Sequence, residues 1–555
     1  MRLKYWLAAA TLSTALGACS PSAEQRSLVE AERSALREQQ AVLERATNEL
    51  IAERKQMVAL RRSLESTREQ LEASKTALET AQSELTTERD QIKEMRDLLM
   101  AARKDLDARK TAFETARREL DAERAQAEAS TTDLGAEKSD AKAALTAAEA
   151  GSAGSQQAEP DDVAVLRTYA DIAHAMYEDS LIAAKGLKAA IDDLVARPSD
   201  ASLAAAKDAW RAARVPYSQT EVYRFGNPIV DEWEVRVNGW PLDEGMIDYV
   251  DAAYGSESDD NDFYTANLIA NPTLEVGGNI IDARLIDARL IESLHEADQV
   301  EANVTTGYHV VEFLLWGQDL NHTGPGAGAR PYTDFDPANC TGGHCERRIA
   351  YLQTATDLII TDLEEMVANW AKGGAARRAV TGDNVEEGLL AMFTGLGSLS
   401  YGELAGERMM LGLLLSDPEE EHDCFSDNTH NSHYNNIVGI KTVIQGRYVR
   451  LDGSRIEGAS LLGLLPEDVA SGLLEDLEAT LAVAGIMKAS ADRGEMSYDQ
   501  MLAADNPEGN VILESVIKAL SEQTKSIDLA ANALGLENVE FERSDSADGP
   551  GAVFN

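Results

Sequence analysis

Residues 307–319 read Gly307-Tyr308-His309-Val310-Val311-Glu312-Phe313-Leu314-Leu315-Trp316-Gly317-Gln318-Asp319. His309 and Glu312 are three apart, so on a helix they share a face. The residues around them are strongly apolar, which predicts that the pair is buried inside a helical bundle. An imidazole and a carboxylate projecting together into a bundle is how helical proteins assemble metal sites. The spacing alone is a weak signal, because it also serves ordinary hydrogen bonds on a helix surface. Burial sharpens it, since a buried His–Glu pair has to find partners or a cation.

Outward from this segment the pattern stays helical. Stretches with a 3.6-residue period run over 163–195, 202–215, 346–371, 386–415, 466–492 and 511–534, and strand alternation is scarce. The fold class is therefore all-α. We expect a globular helical domain over 163–545, in two bundle-like halves at about 163–320 and 346–545, with long functional loops near 225–265 and 320–345.

Upstream the regime changes. From Leu36 through Leu43, Leu50 and Met57 to Phe113 and Leu120, every seventh residue is apolar, and no Pro or Gly interrupts 22–134. A seven-residue repeat sustained this long predicts a left-handed coiled coil. At 1.5 Å per residue the seam is roughly 130 Å long. The companion seam is half polar (Gln39, Glu53, Thr67, Glu88), so each heptad should bind weakly. The stalk spans 19–128 and predicts self-association. Residues 129–162 are rich in Ala, Ser, Gly and Asp and read as a flexible linker.

The first residues, Met1-Arg2-Leu3-Lys4, are basic, and an apolar run follows from Tyr5 to Ala18. That run is too short to span a bilayer and reads as an export signal over 1–18. It ends in Leu16-Gly17-Ala18-Cys19, which resembles a bacterial lipobox, with Cys19 as the lipidated residue. Ser20 and Pro21 follow, with no Asp to signal inner-membrane retention. The expected location is the outer membrane, facing the periplasm. Export permits disulfides. Cys340-Thr-Gly-Gly-His-Cys345 is able to close a small loop, leaving Cys424 free, although the sequence alone leaves other pairings open.

Acidic residues number 96 and basic residues 51, a formal net charge of −45. Such a field repels phosphate backbones, which excludes nucleic acid as a partner. It also favours cations, without identifying one.

The segment 307–319 closely resembles the signature of imelysin-like proteins, a group that includes iron-regulated protein A and an insulin-cleaving metalloproteinase. The likeness extends over most of 163–545. It includes Trp210-Arg-Ala-Ala-Arg214-Val-Pro-Tyr217 through Glu221, Arg224 and Phe225, then Trp240-Pro-Leu-Asp243-Glu244. It continues through Cys340–Cys345 with Arg347-Arg348, Gly402-Glu403-Leu-Ala-Gly-Glu407-Arg408-Met409, and Glu421-His422-Asp-Cys424-Phe-Ser-Asp427-Asn428-Thr-His430. The resemblance implies two helical bundles related by a pseudo-repeat, a site near their interface, an envelope location and a link to iron. The stalk departs from the family pattern.

Three functional readings follow. The first is an envelope-anchored metal-binding module for iron uptake or sensing, with His309 and Glu312 as ligands of iron or zinc. Glu221, Glu403 or Glu407 would complete the shell, unless Arg224 and Arg408 are their partners instead. The second is an imelysin-type metallopeptidase using the same pair. It is weakened by the lack of H-E-x-x-H and of a third ligand at fixed spacing. The third is a structural or adaptor lipoprotein. The loop carrying His422, Asp427, His430 and His433 is rich in potential ligands and equally suited to turn and capping hydrogen bonds. For a ligand imidazole of ordinary pKa, metal binding should weaken as pH falls through about 6.5.

Overall fold

The computed structural model describes Ser34 and residues 161–548 apart from 256–257, 259–260, 277–278 and 537–538. The chain divides into two compact units, Met1–Gly154 and Ser155–Asn555. The export signal, Cys19, the heptad stalk and the linker up to residue 160 lie outside the described residues.

Helix α1, Asp161–Ala196, opens with two acids in its first turn, where the helix dipole favours them, and ends just before Arg197-Pro198. Ser199 caps helix α2, Asp200–Ser218, in a reciprocal box with Ser202. Pro228, at the first helical position, begins α3, Pro228–Asn238. The opening segment of the sequence forms α4, Tyr308–Trp316. Helix α5 follows at Cys345–Trp370 and α6 at Val385–Ser398. The later long helices are α7, Thr429–Gln445, α8, Glu467–Asp492, and α9, Pro507–Ala533. Two small antiparallel hairpins complete the unit: β1 (Thr273–Val276) with β2 (Asn279–Asp282), and β3 (Arg447–Val449) with β4 (Arg455–Glu457).

Packing sorts the helices into two groups. Helix α1 packs on α2 and α5, and α4 packs on the same two. Helix α8 packs on α9 and α7, and α7 also reaches α2. Helix α5 thus groups with the N-terminal helices. Among the described residues no helix is long and apolar enough to cross a membrane.

Helix α4 is buried at all nine positions, as its apolar circumference requires. Gly307 precedes it at φ +92°, and a Cβ there would sit 2.5 Å from the Val237 carbonyl oxygen. The helix therefore begins hard against the end of α3. The Trp210 indole of α2 donates to the Tyr308 carbonyl at 2.9 Å and meets Trp316 edge-on at 5.4 Å between ring centres.

The stretch expected to hold a 3.6 period over 386–415 is helical but not uniformly so. Residues Leu399–Met410 form a π-helix, followed by a short α-helix, Leu411–Leu415. Wide π segments are rare and occur where function or packing demands them. The tail after α9 packs against this segment: Ser398 Oγ accepts from the Glu542 amide, and Tyr401 donates to Asp548.

Candidate metal centre

His309 is the second residue of α4, and Glu312 lies one turn on. His309 Nδ1 is 3.0 Å from Glu312 Oε2, and both side chains are fully buried. The other oxygen, Oε1, accepts from the Ser426 amide at 3.0 Å and from Ser426 Oγ at 2.6 Å. Glu312 is thereby held behind His309 on its Nδ1 side. His309 Nε2 is buried without a hydrogen-bond partner.

The loop before the short 3-10 turn Cys424–Ser426 brings two more side chains that could hold a metal ion. His309, His422 and Asp423 are all buried, and each offers a donor atom within 4.8 Å of the others. The imidazole rings of His309 and His422 meet edge-on at 4.6 Å, with Trp240 packed against both. Asp423 Oδ1 accepts from Arg214 Nη2 at 2.8 Å, and Oδ2 accepts from Asn428 Nδ2 at 2.8 Å and Ser432 Oγ at 2.5 Å. Arg214 is fully buried, donates also to Asn238 Oδ1 at 2.5 Å, and lies against the faces of Tyr217 and Tyr308.

Electrostatics follow from this burial. Burial pushes the His309 imidazole down to about 3, and Arg214 acts in the same direction. His422 is also pushed well below the ordinary range, by burial and then by Arg408. Burial alone would raise Asp423, but the Arg214 guanidinium outweighs it and holds the carboxylate well below its usual range. Glu312 goes the other way, raised well above the carboxylate range by burial and by Asp423. Both rings are therefore neutral at physiological pH, and the proton that competes with a metal resides on Glu312 rather than on an imidazole. The expected weakening near 6.5 rested on an ordinary imidazole and does not apply to these rings.

The residues fit a metal ion. A buried ring nitrogen without a partner, two neutral imidazoles and one carboxylate make a donor set suited to Fe(II) or Zn(II), with coordination positions left over. A metal-bound His usually donates its second nitrogen to a carboxylate, the position Glu312 occupies.

The remaining sequence candidates gather beside the centre. Arg408 pairs with Glu221 and with Glu403, each at 2.6 Å, and Arg224 Nη1 reaches Glu403 at 3.3 Å. Glu221 and Glu403 thus find guanidinium partners. Glu403 and Arg408 are five apart, an interval that α-helical geometry separates and the i→i+5 ladder of the π-helix brings together. Glu407 is exposed and lines a cleft of about 430 Å³ with Arg224, Glu403, Arg408, Trp240 and His422. His422 is the trio member that reaches this cleft. His430 and His433 are not loop residues but lie on α7, where His430 Nε2 is 3.4 Å from Asp492. Cys340 and Cys345 are joined by a disulfide at the start of α5, and Cys424 is free and buried.

Sequence reasoning passed over Asp423, Arg214 and Ser426. His422 stood among the ligand-rich residues, but no fixed spacing links it to His309. The dense polar run Glu421–His430 was the available signal.

Among curated proteins none matches the chain. One similar solved structure is that of an iron-regulated protein A precursor from Parabacteroides distasonis ATCC 8503, at 18% identity and a TM-score of 0.48, covering 68% of this chain and 97% of that one. The imelysin family profile (Peptidase_M75) matches residues 173–527. That match takes in α4, the trio, the cleft and most of the helices that position them, so the chain belongs to the imelysin family.

Proposed function

We propose that this chain is an envelope-anchored metal-binding imelysin serving iron uptake or an iron-responsive process. The observation that carries the reading is the buried trio His309, His422 and Asp423, with Glu312 hydrogen-bonded behind His309. Neutral imidazoles and a carboxylate suit iron(II) or zinc(II). The acidic cleft beside His422 supplies a cation route from solvent. Lipidation at Cys19 would tether the chain to the outer membrane, and the heptads would project the globular unit as an oligomer.

Elemental analysis of the purified chain tests the centre. Wild type should retain about one equivalent of a transition metal, while His309→Ala and His422→Ala should lose it and keep their helical circular dichroism. Unchanged metal content in both variants would remove the site. The anchor is tested separately: wild type should take up a fatty-acid probe and Cys19→Ser should not.

A second reading, an imelysin-type metallopeptidase, draws on one observation. Two histidines and a carboxylate beside an open cleft match the donor count of catalytic zinc centres. A bound metal would supply Lewis acidity there. Cleavage of an unfolded polypeptide by metal-loaded wild type, lost in His309→Ala, would favour it over the binding module. The adaptor reading gains only if the protein binds no metal.

A further inference from the structure

The last turn of α6 and the π-helix Leu399–Met410 have two faces, and both are in use. Glu403 and Arg408 line the cleft on one of them, where Arg408 also reaches Glu221. Glycines mark the other. A Cβ at Gly397 or Gly406 would collide with the Phe541 ring or the Ser544 side chain, and one at Gly402 would lie 2.6 Å from the Glu542 carbonyl oxygen. These three glycines let residues 541–544 lie directly on the helix backbone. Two hydrogen bonds tie the segment down: the Glu542 amide donates to Ser398 Oγ at 2.9 Å, and the Tyr401 hydroxyl donates to Asp548 Oδ1 at 2.8 Å. The short helix Asp545–Asp548 packs on the π-helix and on Leu411–Leu415. Toward α9 the segment borders an open groove of about 900 Å³, lined in part by Tyr401, Thr524, Asp528 and Phe541. Its hold is therefore on the π-helix.

Twelve residues of π-helix far exceed the single-turn bulges that α-helices usually carry, so something has to sustain them. The register matters for the cleft. At 3.6 residues per turn Glu403 and Arg408 would point about 140° apart and could not pair. The i→i+5 ladder instead brings Glu403 Oε1 within 2.6 Å of Arg408 Nη2 and leaves Arg408 only 5% exposed. That bridge forms the cleft wall beside His422.

We propose that residues 541–548 are a strap that holds Leu399–Met410 in the π register, and that Phe541 and Ser544 thereby position the Glu403–Arg408 pair and the cleft wall it builds. No residue of the strap lines the cleft, so these are positioning residues. With the strap seated, the guanidinium stays paired and the wall stays closed. With the strap lifted, the segment moves toward the α register, Glu403 and Arg408 separate, and Arg408 opens to solvent. The strap thus links the surface beside α9 to exchange at His422. That last step rests on the metal-binding reading, whereas control of the register does not.

Arginine-specific labelling of the metal-stripped full chain with phenylglyoxal, read residue by residue by peptide mass spectrometry, tests the proposal. Two variants act on the strap and leave the helix sequence intact. Ser544→Leu is too large for the space over Gly406, and Phe541→Ala removes the ring over Gly397. Arg408 should label slowly in wild type, roughly tenfold faster in Ser544→Leu and at least threefold faster in Phe541→Ala, as a local opening would give. Arg214 and Arg348, both fully buried, should stay unlabelled throughout. Amide hydrogen exchange over 399–410 should quicken in the same order. Unchanged Arg408 labelling in both variants would overturn the proposal. So would Arg214 labelling that rises in parallel, because the strap would then support the whole fold and not the register. Chelator-driven release of Zn(II) reads the last step: it should be at least threefold faster from Ser544→Leu than from wild type, and equal rates would overturn the link to the centre. If wild type holds no zinc, the metal-binding reading fails, and the labelling still decides whether the strap sets the register.

Discussion

Replacing Glu312 by Gln changes one thing at the centre, the atom facing His309 Nδ1. Oε1 of Glu312 accepts two bonds from Ser426, at 3.0 and 2.6 Å, and the amide oxygen of a glutamine preserves both. Its NH2 is then forced toward Nδ1, which lies 3.0 Å from Oε2 in the native centre. An NH2 only donates, so Nδ1 has to accept, and the ring proton is held on Nε2 with no carboxylate able to take up a proton in its place and free that nitrogen. That is the nitrogen a metal needs bare. Loss of a carboxylate that orients a metal-bound histidine typically costs 10- to 100-fold in affinity, or about 1.4 to 2.8 kcal/mol. Stability should hardly move. Burial and Asp423 keep Glu312 protonated in the metal-free protein, so a neutral amide replaces a neutral acid at a cost of about 1 kcal/mol or less. The assay is competition with a chromophoric chelator for Zn(II) and Fe(II) at pH 7.5, beside urea unfolding in chelator. Affinity within twofold of wild type would refute the tautomer argument. A loss as large as that of His309→Ala would make Glu312 a direct ligand instead.

Three other perturbations probe the surroundings. Arg214→Met leaves Asp423 buried without its counter-charge, which should cost about 3 to 5 kcal/mol of metal-free stability in urea titration while tightening metal binding; weaker metal binding would contradict the role assigned to Arg214. The raised groups Asp427 and Glu244, each at about 8, and Asp499, at about 6, hold protons in the folded state that the unfolded chain releases near pH 4. Their contribution is complete below pH 4 and is lost as pH rises through 6 and 8, so metal-free stability should fall from pH 5 to pH 8. Asp499 alone accounts for roughly 3 kcal/mol, and Asp499→Asn should flatten the slope measured by urea midpoints. Gly406→Ala places a methyl on the Ser544 side chain and should destabilise by about 1 to 3 kcal/mol, with Ser544→Gly restoring part of it in the double variant.

The helices were legible because their signals are local. The stretches 163–195, 346–371 and 466–492 correspond to helices at Asp161–Ala196, Cys345–Trp370 and Glu467–Asp492. Caps and breakers fix their ends: Ser199 and Ser202, Pro198, and Asn506 before Pro507. The π-helix was not legible. A 3.6 period with glycines at 395, 397, 402 and 406 looks ordinary, and the widening accompanies a tail more than 130 residues away packing onto the segment. The pairing of His309 with Glu312 could be read from an interval of three. Nothing local ties either to His422 and Asp423, more than 100 residues on. Their approach depends on Ser426 capping Glu312 and on Arg214 of α2 reaching Asp423, both products of tertiary packing.

Charge at the centre bears on how the proposed metal site would behave. In the metal-free state both rings are neutral, Asp423 is negative, Arg214 is positive, and Glu312 holds a proton. The ligands and their nearest cation therefore sum to zero, which is why so many titratable groups can be buried together without a metal. A divalent ion entering such a site gains less attraction than it would from an uncompensated carboxylate. It gains more once Glu312 releases its proton and the His309 Nδ1–H donates to the carboxylate. Metal capture at the proposed site would thus be tied to the loss of a proton from a side chain that is not itself in the trio. A permanent structural metal has no use for a guanidinium against its ligand, since Arg214 lowers affinity as surely as it stabilises the empty site. A protein that takes up a cation and gives it away again needs both properties, and the acidic cleft at His422 provides the opening through which the exchange would occur.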